Sequence, residues 1–190
     1  NMAPIYSFTK LNEIKPDMGK VAIQRKGEGI SWGGLYWQYF QQIDKIQSAA
    51  TGLQVTKELF IEKTTPSGLI LEPISATNPV KVGDKIRVRL AVETDRAMEF
   101  VQLKDQRAAA FEPVDVISGY QYQQGLGYYQ VTHDASTDFF IDYLPKGNYL
   151  VEYSLYVTHS GNFSSGLATL QCMYAPEFRA HSQGLKVVVK

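Results

Sequence analysis

Hydrophobic positions recur with period two along most of this chain. The clearest run places Ile86, Val88, Leu90 and Val92 on one face of a strand and Lys85, Arg87, Arg89 and Glu93 on the other. A second run sets Tyr149, Val151, Tyr153, Leu155 and Val157 against Glu152, Ser154 and Thr158, and a third sets Leu53, Val55, Leu59 and Ile61 against Gln54, Thr56, Glu58 and Glu62. Each run predicts a half-buried strand. Shorter stretches at 21–25, 100–104, 128–132, 139–143, 167–173 and 185–189 fit the same pattern, for roughly nine or ten strands in all.

Turn-forming residues separate these runs: Lys26-Gly27-Glu28-Gly29, Thr65-Pro66-Ser67-Gly68, Asn78-Pro79, Pro145-Lys146-Gly147-Asn148 and Ser160-Gly161-Asn162. The stretch 160–166 reads as a loop. Strands so evenly spaced predict an all-β protein, an antiparallel β-sandwich of Ig-like size. The one stretch with helical spacing is 39–50, where Phe40, Ile43 and Ile46 recur before Thr51-Gly52 closes it. A further turn is expected at 107–110. A domain boundary is expected at 64–68, dividing a smaller β-rich segment, 1–65, from a sandwich over 66–190. The smaller part supplies about four strands, too few to bury a core alone, so it packs on the larger domain or is half of something bigger.

Composition narrows the function. Hydrophobic residues make up 44% and charged residues 20% of the 190, which excludes a disordered tail or a low-complexity fibre. Nineteen basic and nineteen acidic residues balance to zero, so no basic footprint for nucleic acid exists and none is expected as a partner. No stretch approaches a membrane span, and the first thirty or so residues lack a signal peptide's charged start and apolar middle. The start Asn1-Met2 reads as that of an expressed fragment or a processed form, so any targeting segment is expected outside it. A single cysteine excludes a disulfide framework.

No catalytic set emerges. His133, His159 and His181 lack metal-ligand spacing, and Asp134, Ser136 and Asp138 alternate like a calcium loop but lack its sixth-position glycine and closing glutamate. They read as a polar turn before a strand. A Gly-x-Ser-x-Gly elbow is missing, and Gly125-Leu126-Gly127 has no following Lys and Ser/Thr to make a phosphate loop. Asn162-Phe163-Ser164 matches a glycosylation acceptor, a tripeptide common by chance. No cofactor, no metal and no enzymatic activity are expected.

The aromatic content, 12%, does stand out. Rings cluster in Trp32-Gly33-Gly34-Leu35-Tyr36-Trp37-Gln38-Tyr39-Phe40 and in Tyr120-Gln121-Tyr122, with Tyr128-Tyr129 just beyond. Trp32, Tyr36, Trp37, Tyr120, Tyr122, Tyr128 and Tyr129 are the candidate interaction residues. They form either a face for a protein or sugar, since such rings bury much area at small entropic cost, or a second packed face.

The order of segments in the larger domain resembles the last macroglobulin-like domain of bacterial alpha-2-macroglobulins. Val82-Gly83-Asp84-Lys85-Ile86-Arg87-Val88, Phe111-Glu112-Pro113, Asp142-Tyr143-Leu144-Pro145-Lys146-Gly147-Asn148-Tyr149 and Met173-Tyr174-Ala175-Pro176-Glu177-Phe178-Arg179 carry the likeness. Gly-Asp opens a strand, Leu-Pro-x-Gly turns tightly between two strands, and the proline after Tyr174 ends a ladder it cannot continue. The likeness covers about 70–190. Ser31-Trp32-Gly33-Gly34 through Phe40, with Thr51-Gly52-Leu53, looks like the stretch joining the thioester domain to that last domain, which implies that 1–65 holds the second half of a split CUB-like sandwich. Arg179-Ala180-His181-Ser182 departs from the family pattern, where a glycine is expected after the arginine.

The resemblance implies a piece of a bacterial protease inhibitor of the periplasm or cell envelope, anchored through a lipoprotein signal outside this sequence. Its partners would be the thioester domain of the same longer chain and, through the whole protein, proteases. Cys172 sits in Leu170-Gln171-Cys172-Met173-Tyr174 and not in a Cys-Gly-Glu-Gln thioester, so it reads as a small buried hydrophobe on a strand. The expected function is a non-catalytic structural module that supports the thioester domain. The alternative is a cell-surface adhesion or carbohydrate-binding sandwich.

Overall fold

Alternating side chains need two apolar layers to meet, and a computed structural model shows how they do. It describes residues 38–190 apart from Ala76, together with 15–20, 22, 24, 29 and 30. The chain divides into Asn1–Tyr39, in which a short 3-10 turn at Pro16–Gly19 is described, and Phe40–Lys190. The strand expected at 21–25 falls largely outside the described residues.

Among the described residues, fourteen strands follow in the second unit. The first seven are β1 (Ala49–Thr51), β2 (Leu53–Thr65), β3 (Gly68–Pro73), β4 (Lys85–Thr94), β5 (Met98–Gln106), β6 (Phe111–Pro113) and β7 (Gly119–Gln123). Then come β8 (Leu126–Thr132), β9 (Ser136–Leu144), β10 (Gly147–Val157), β11 (Gly161–Ser164), β12 (Ala168–Cys172), β13 (Arg179–His181) and β14 (Lys186–Val189). They form a seven-stranded sheet ordered β1-β13-β12-β5-β9-β8-β7, a five-stranded sheet ordered β3-β2-β4-β10-β6 and a ribbon of β11 with β14. All these pairings are antiparallel.

The predicted alternation is what fills the space between the sheets. Val55, Val88, Leu90 and Val151 project from the five-stranded sheet, and Leu103, Phe139, Ile141 and Leu170 from the seven-stranded one; all are buried. Phe139 lies edge-on to Tyr128, with ring centroids 5.4 Å apart. Cys172 is buried on β12, a free thiol as expected. Leu144-Pro145-Lys146-Gly147 carries the chain from β9 in one sheet to β10 in the other, so this tight turn closes one end of the sandwich.

Three expectations are corrected. Residues 39–50 form no α-helix: a 3-10 turn spans Ile43–Lys45 and β1 begins at Ala49. Phe40 and Ile43 are exposed, so the apolar spacing has no surface to pack on, and a short helix without tertiary packing is marginal. The boundary expected at 64–68 is instead the two-residue loop of the β2–β3 hairpin, in which Thr65 pairs with Gly68. Thr-Pro-Ser-Gly chemistry suits a hairpin as well as a linker, and β2 continues the sheet that β4 and β10 extend. Within 160–166, Gly161–Ser164 is a strand paired with β14 rather than loop.

The chain crosses between sheets at Gly52, which joins β1 to β2 with φ +70°. A Cβ there would come within 2.7 Å of the Phe178 ring, so glycine is required both by the dihedral and by the ring.

The outer face of the five-stranded sheet carries an ionic network. Glu62 Oε1 accepts hydrogen bonds of 2.6 Å from both Arg87 Nε and Ser154 Oγ, and Lys85 Nζ lies 3.3 Å from Oε2. Burial by itself raises the carboxyl's pKa, but the bonds from Ser154 and Arg87, with Lys85, outweigh it and hold Glu62 below the ordinary glutamate range. A depressed folded-state pKa stabilises the fold above the unfolded value and is lost as pH falls through the folded one. The stability gap between the native chain and Glu62→Gln, measured by urea unfolding, therefore shrinks between about pH 7 and about pH 3. A gap constant over that range contradicts the assignment.

Candidate functional site

The inward phase of β2 runs Leu53, Val55, Lys57, Leu59, Ile61, and its third member is a lysine. Lys57 lies in the core with a side chain 1% exposed. Its Nζ donates to the carbonyls of Gln106, at 2.6 Å, and Ser165, at 2.8 Å, and stands 2.7 Å from Asp105 Oδ1. Asp105 occupies the same phase of β5 as Val101 and Leu103, and its side chain has no exposure. Its other oxygen, Oδ2, accepts the Tyr153 hydroxyl of β10 at 2.6 Å. Just beyond β5, Arg107 donates to Thr137 Oγ1 at 3.0 Å and to the Asp134 carbonyl at 3.2 Å. Five segments therefore meet in one polar cluster within the apolar core.

Desolvation governs the charges here. Burial lowers the Lys57 pKa, and Asp105 opposes this without cancelling it. Burial likewise raises Asp105 above the carboxylate range. Tyr153 is driven well above its ordinary value by burial and by the neighbouring Asp105. Both directions run toward the neutral forms. Asp105 Oδ1 and Arg107 Nη2, both buried, receive no aligned hydrogen-bond partner.

The expected aromatic surface is present in part. Tyr120 and Tyr122 are 80% and 75% exposed on β7, and Tyr120 lies opposite Tyr129 of β8 with ring centroids 4.9 Å apart. Tyr128 is a correction: at 2% exposure it faces the core, because adjacent strand residues point to opposite faces. Burial pushes its hydroxyl up to about 12. Trp32, Tyr36 and Trp37 lie outside the described residues.

A second aromatic surface was not singled out by sequence. Phe100 of β5 is exposed at φ +52°, an uncommon conformation for a bulky side chain, and meets Tyr174 edge-on at 5.2 Å. Met173 N donates to the Phe100 carbonyl at 2.9 Å, and Met173 and Tyr174 are themselves exposed. The phase of β5 places Phe100 outward, while its unusual dihedral has no sequence signal. Asp138, in the segment resembling a calcium loop, is buried and engaged by Ser136 Oγ at 3.1 Å and Gln102 Nε2 at 3.0 Å.

Two antiparallel sheets closed by a Leu-Pro-x-Gly turn define a macroglobulin-like sandwich domain. The family described as "Bacterial Alpha-2-macroglobulin MG10 domain" matches residues 52–177, and this chain belongs to it. Among solved structures, Salmonella alpha-2-macroglobulin reacted with methylamine superposes with TM-score 0.60 at 16% identity, over 77% of this chain and 10% of that one. Native Escherichia coli alpha-2-macroglobulin, spanning MG7 to the C-terminus, gives 0.57 at 13% identity, over 75% of this chain and 24% of that one. These likenesses concern the fold. A curated relative, "Circularly permutated Ras protein 2" of Dictyostelium discoideum, is 21% identical over 167 residues, 88% of this chain and 4% of its own length. The chain thus spans a small part of each protein it matches. Among the described residues, no helix is long and apolar enough to cross a membrane.

Removing Lys57 strands a buried carboxyl and two carbonyls. Lys57→Met should lower unfolding free energy by about 3–5 kcal/mol. Lys57→Met combined with Asp105→Leu should cost less than the sum of the two single changes. Urea denaturation of the four proteins checks this, and strict additivity would refute the coupling.

Proposed function

We propose that the chain is a non-catalytic module of a bacterial alpha-2-macroglobulin-like protease inhibitor, supporting the thioester domain of the same longer chain. The observation that carries this is the Phe100, Met173 and Tyr174 surface. A bulky residue kept at positive φ while its ring stays in solvent represents stored strain, and such strain gathers at contact sites. A neighbouring domain seated there would bury the three side chains. The family membership and the partial span of much longer relatives support the reading. In the same proposal, the whole protein sits in the periplasm or cell envelope on a lipoprotein anchor and meets proteases there.

Mixed with a separately produced thioester domain of its own longer chain, the module should form a complex. Phe100→Ser with Tyr174→Ser should weaken that complex about tenfold or more while leaving the melting temperature of the free module within a few degrees. Isothermal titration and calorimetry read both. Unaltered binding, or a covalent adduct formed by the module alone with trypsin, overturns the proposal.

A second reading rests on Tyr120, Tyr122 and Tyr129, which present a ringed platform on the other hairpin. A carbohydrate-binding module would show saturable sugar binding on a glycan array, lost in Tyr120→Ala and Tyr122→Ala. Absence of any saturable glycan removes this reading.

A further inference from the structure

We propose that Lys57 and Asp105 condense to an amide, a covalent tie between β2 and β5 that joins the two sheets through the core. The geometry carries it. An uncharged amine has two N–H bonds and one lone pair. Lys57 Nζ makes two hydrogen bonds, to the carbonyls of Gln106 and Ser165, at 2.6 and 2.8 Å. What remains of the nitrogen faces Asp105, 2.7 Å from Oδ1. Two backbone carbonyls thus hold the nitrogen with its lone pair toward the carboxyl.

The carboxyl is set in the complementary way. Tyr153 donates to Oδ2 at 2.6 Å, so the acid proton belongs on Oδ1, the oxygen nearer to Lys57. The surroundings suit neutral reactants: both side chains are shut off from solvent, and the Arg107 guanidinium nearby disfavours a second positive charge on Lys57. Burial moves both groups toward their uncharged forms.

The step balances without a co-reactant. The Nζ lone pair attacks Asp105 Cγ and forms the C–N bond, with negative charge gathering on Oδ2 under the Tyr153 hydroxyl. The nitrogen gives up one proton to the Oδ1 hydroxyl, which departs as water. The product is a secondary amide whose carbonyl oxygen, the former Oδ2, keeps its bond from Tyr153. Holding the reactants in contact inside the fold replaces an external catalyst, since well-oriented intramolecular groups reach very high effective molarity.

Intact-mass spectrometry of the folded native chain tests this directly. The expected result is a mass about 18 Da, one water, below the sequence value. Tryptic mapping should then give a branched peptide joining the Lys57 and Asp105 segments, with no cleavage after Lys57. The deficit should grow during refolding, stay absent in urea, and vanish in Lys57→Arg. Full sequence mass in the folded native chain, or a water loss mapped elsewhere such as a succinimide, overturns the proposal. Because the native chain itself is read, poor folding of a variant leaves the outcome decisive.

Discussion

Burial of Lys57 between the two sheets constrains the structure around it. One nitrogen gathers the carboxyl of β5, the neighbouring carbonyl that ends β5 and the carbonyl of Ser165 near β12, which lies far from both in sequence. A side chain that must reach all three fixes the spacing of the sheets at that end and the course of the 165–167 segment. The arrangement is costly to leave incomplete, since an unpaired buried polar group loses its hydration without return. Apolar packing can slide by small amounts, whereas hydrogen bonds to a single atom cannot, so this cluster gives the sandwich a definite register.

Most of the fold could be read from periodicity because the two layers are long-stranded and antiparallel, and the pattern of Ile86 to Val92 is direct evidence of one wet and one dry face. The parts that escaped are those in which backbone pairing acts without a side-chain pattern. β1, β6, β11 and β13 are three or four residues long, too short to show a period. The 65–68 loop misled for a related reason: the same Thr-Pro-Ser-Gly suits a hairpin or a linker, and only the partner strands decide. Residues 39–50 carried helical spacing with no surface to receive it.

The polar cluster was legible only in hindsight. Lys57 interrupts an inward run of Leu53, Val55, Leu59 and Ile61, and Asp105 ends an inward run of Val101 and Leu103. A charge on the dry phase of each of two strands is a signal that they meet. Tyr128 shows the reverse error, since a tyrosine in a ring-rich stretch looked like surface although its phase put it inside. The Phe100 dihedral has no counterpart in sequence, because positive φ on a phenylalanine follows from the surrounding structure and not from the residue.

The tyrosine hairpin carries one more arrangement of consequence. The Gln123 carboxamide accepts from Glu152 N at 2.9 Å and donates to Glu152 O at 3.0 Å, pairing with β10 as a backbone unit would. β6 covers β10 only over residues 155–157, so Gln123 occupies the next bare stretch of that edge. A side chain that imitates a peptide group satisfies the ladder without extending it, and leaves no template there on which a foreign strand can add. One glutamine therefore fills this part of the edge while stitching the tyrosine-bearing hairpin of one sheet to the rim of the other.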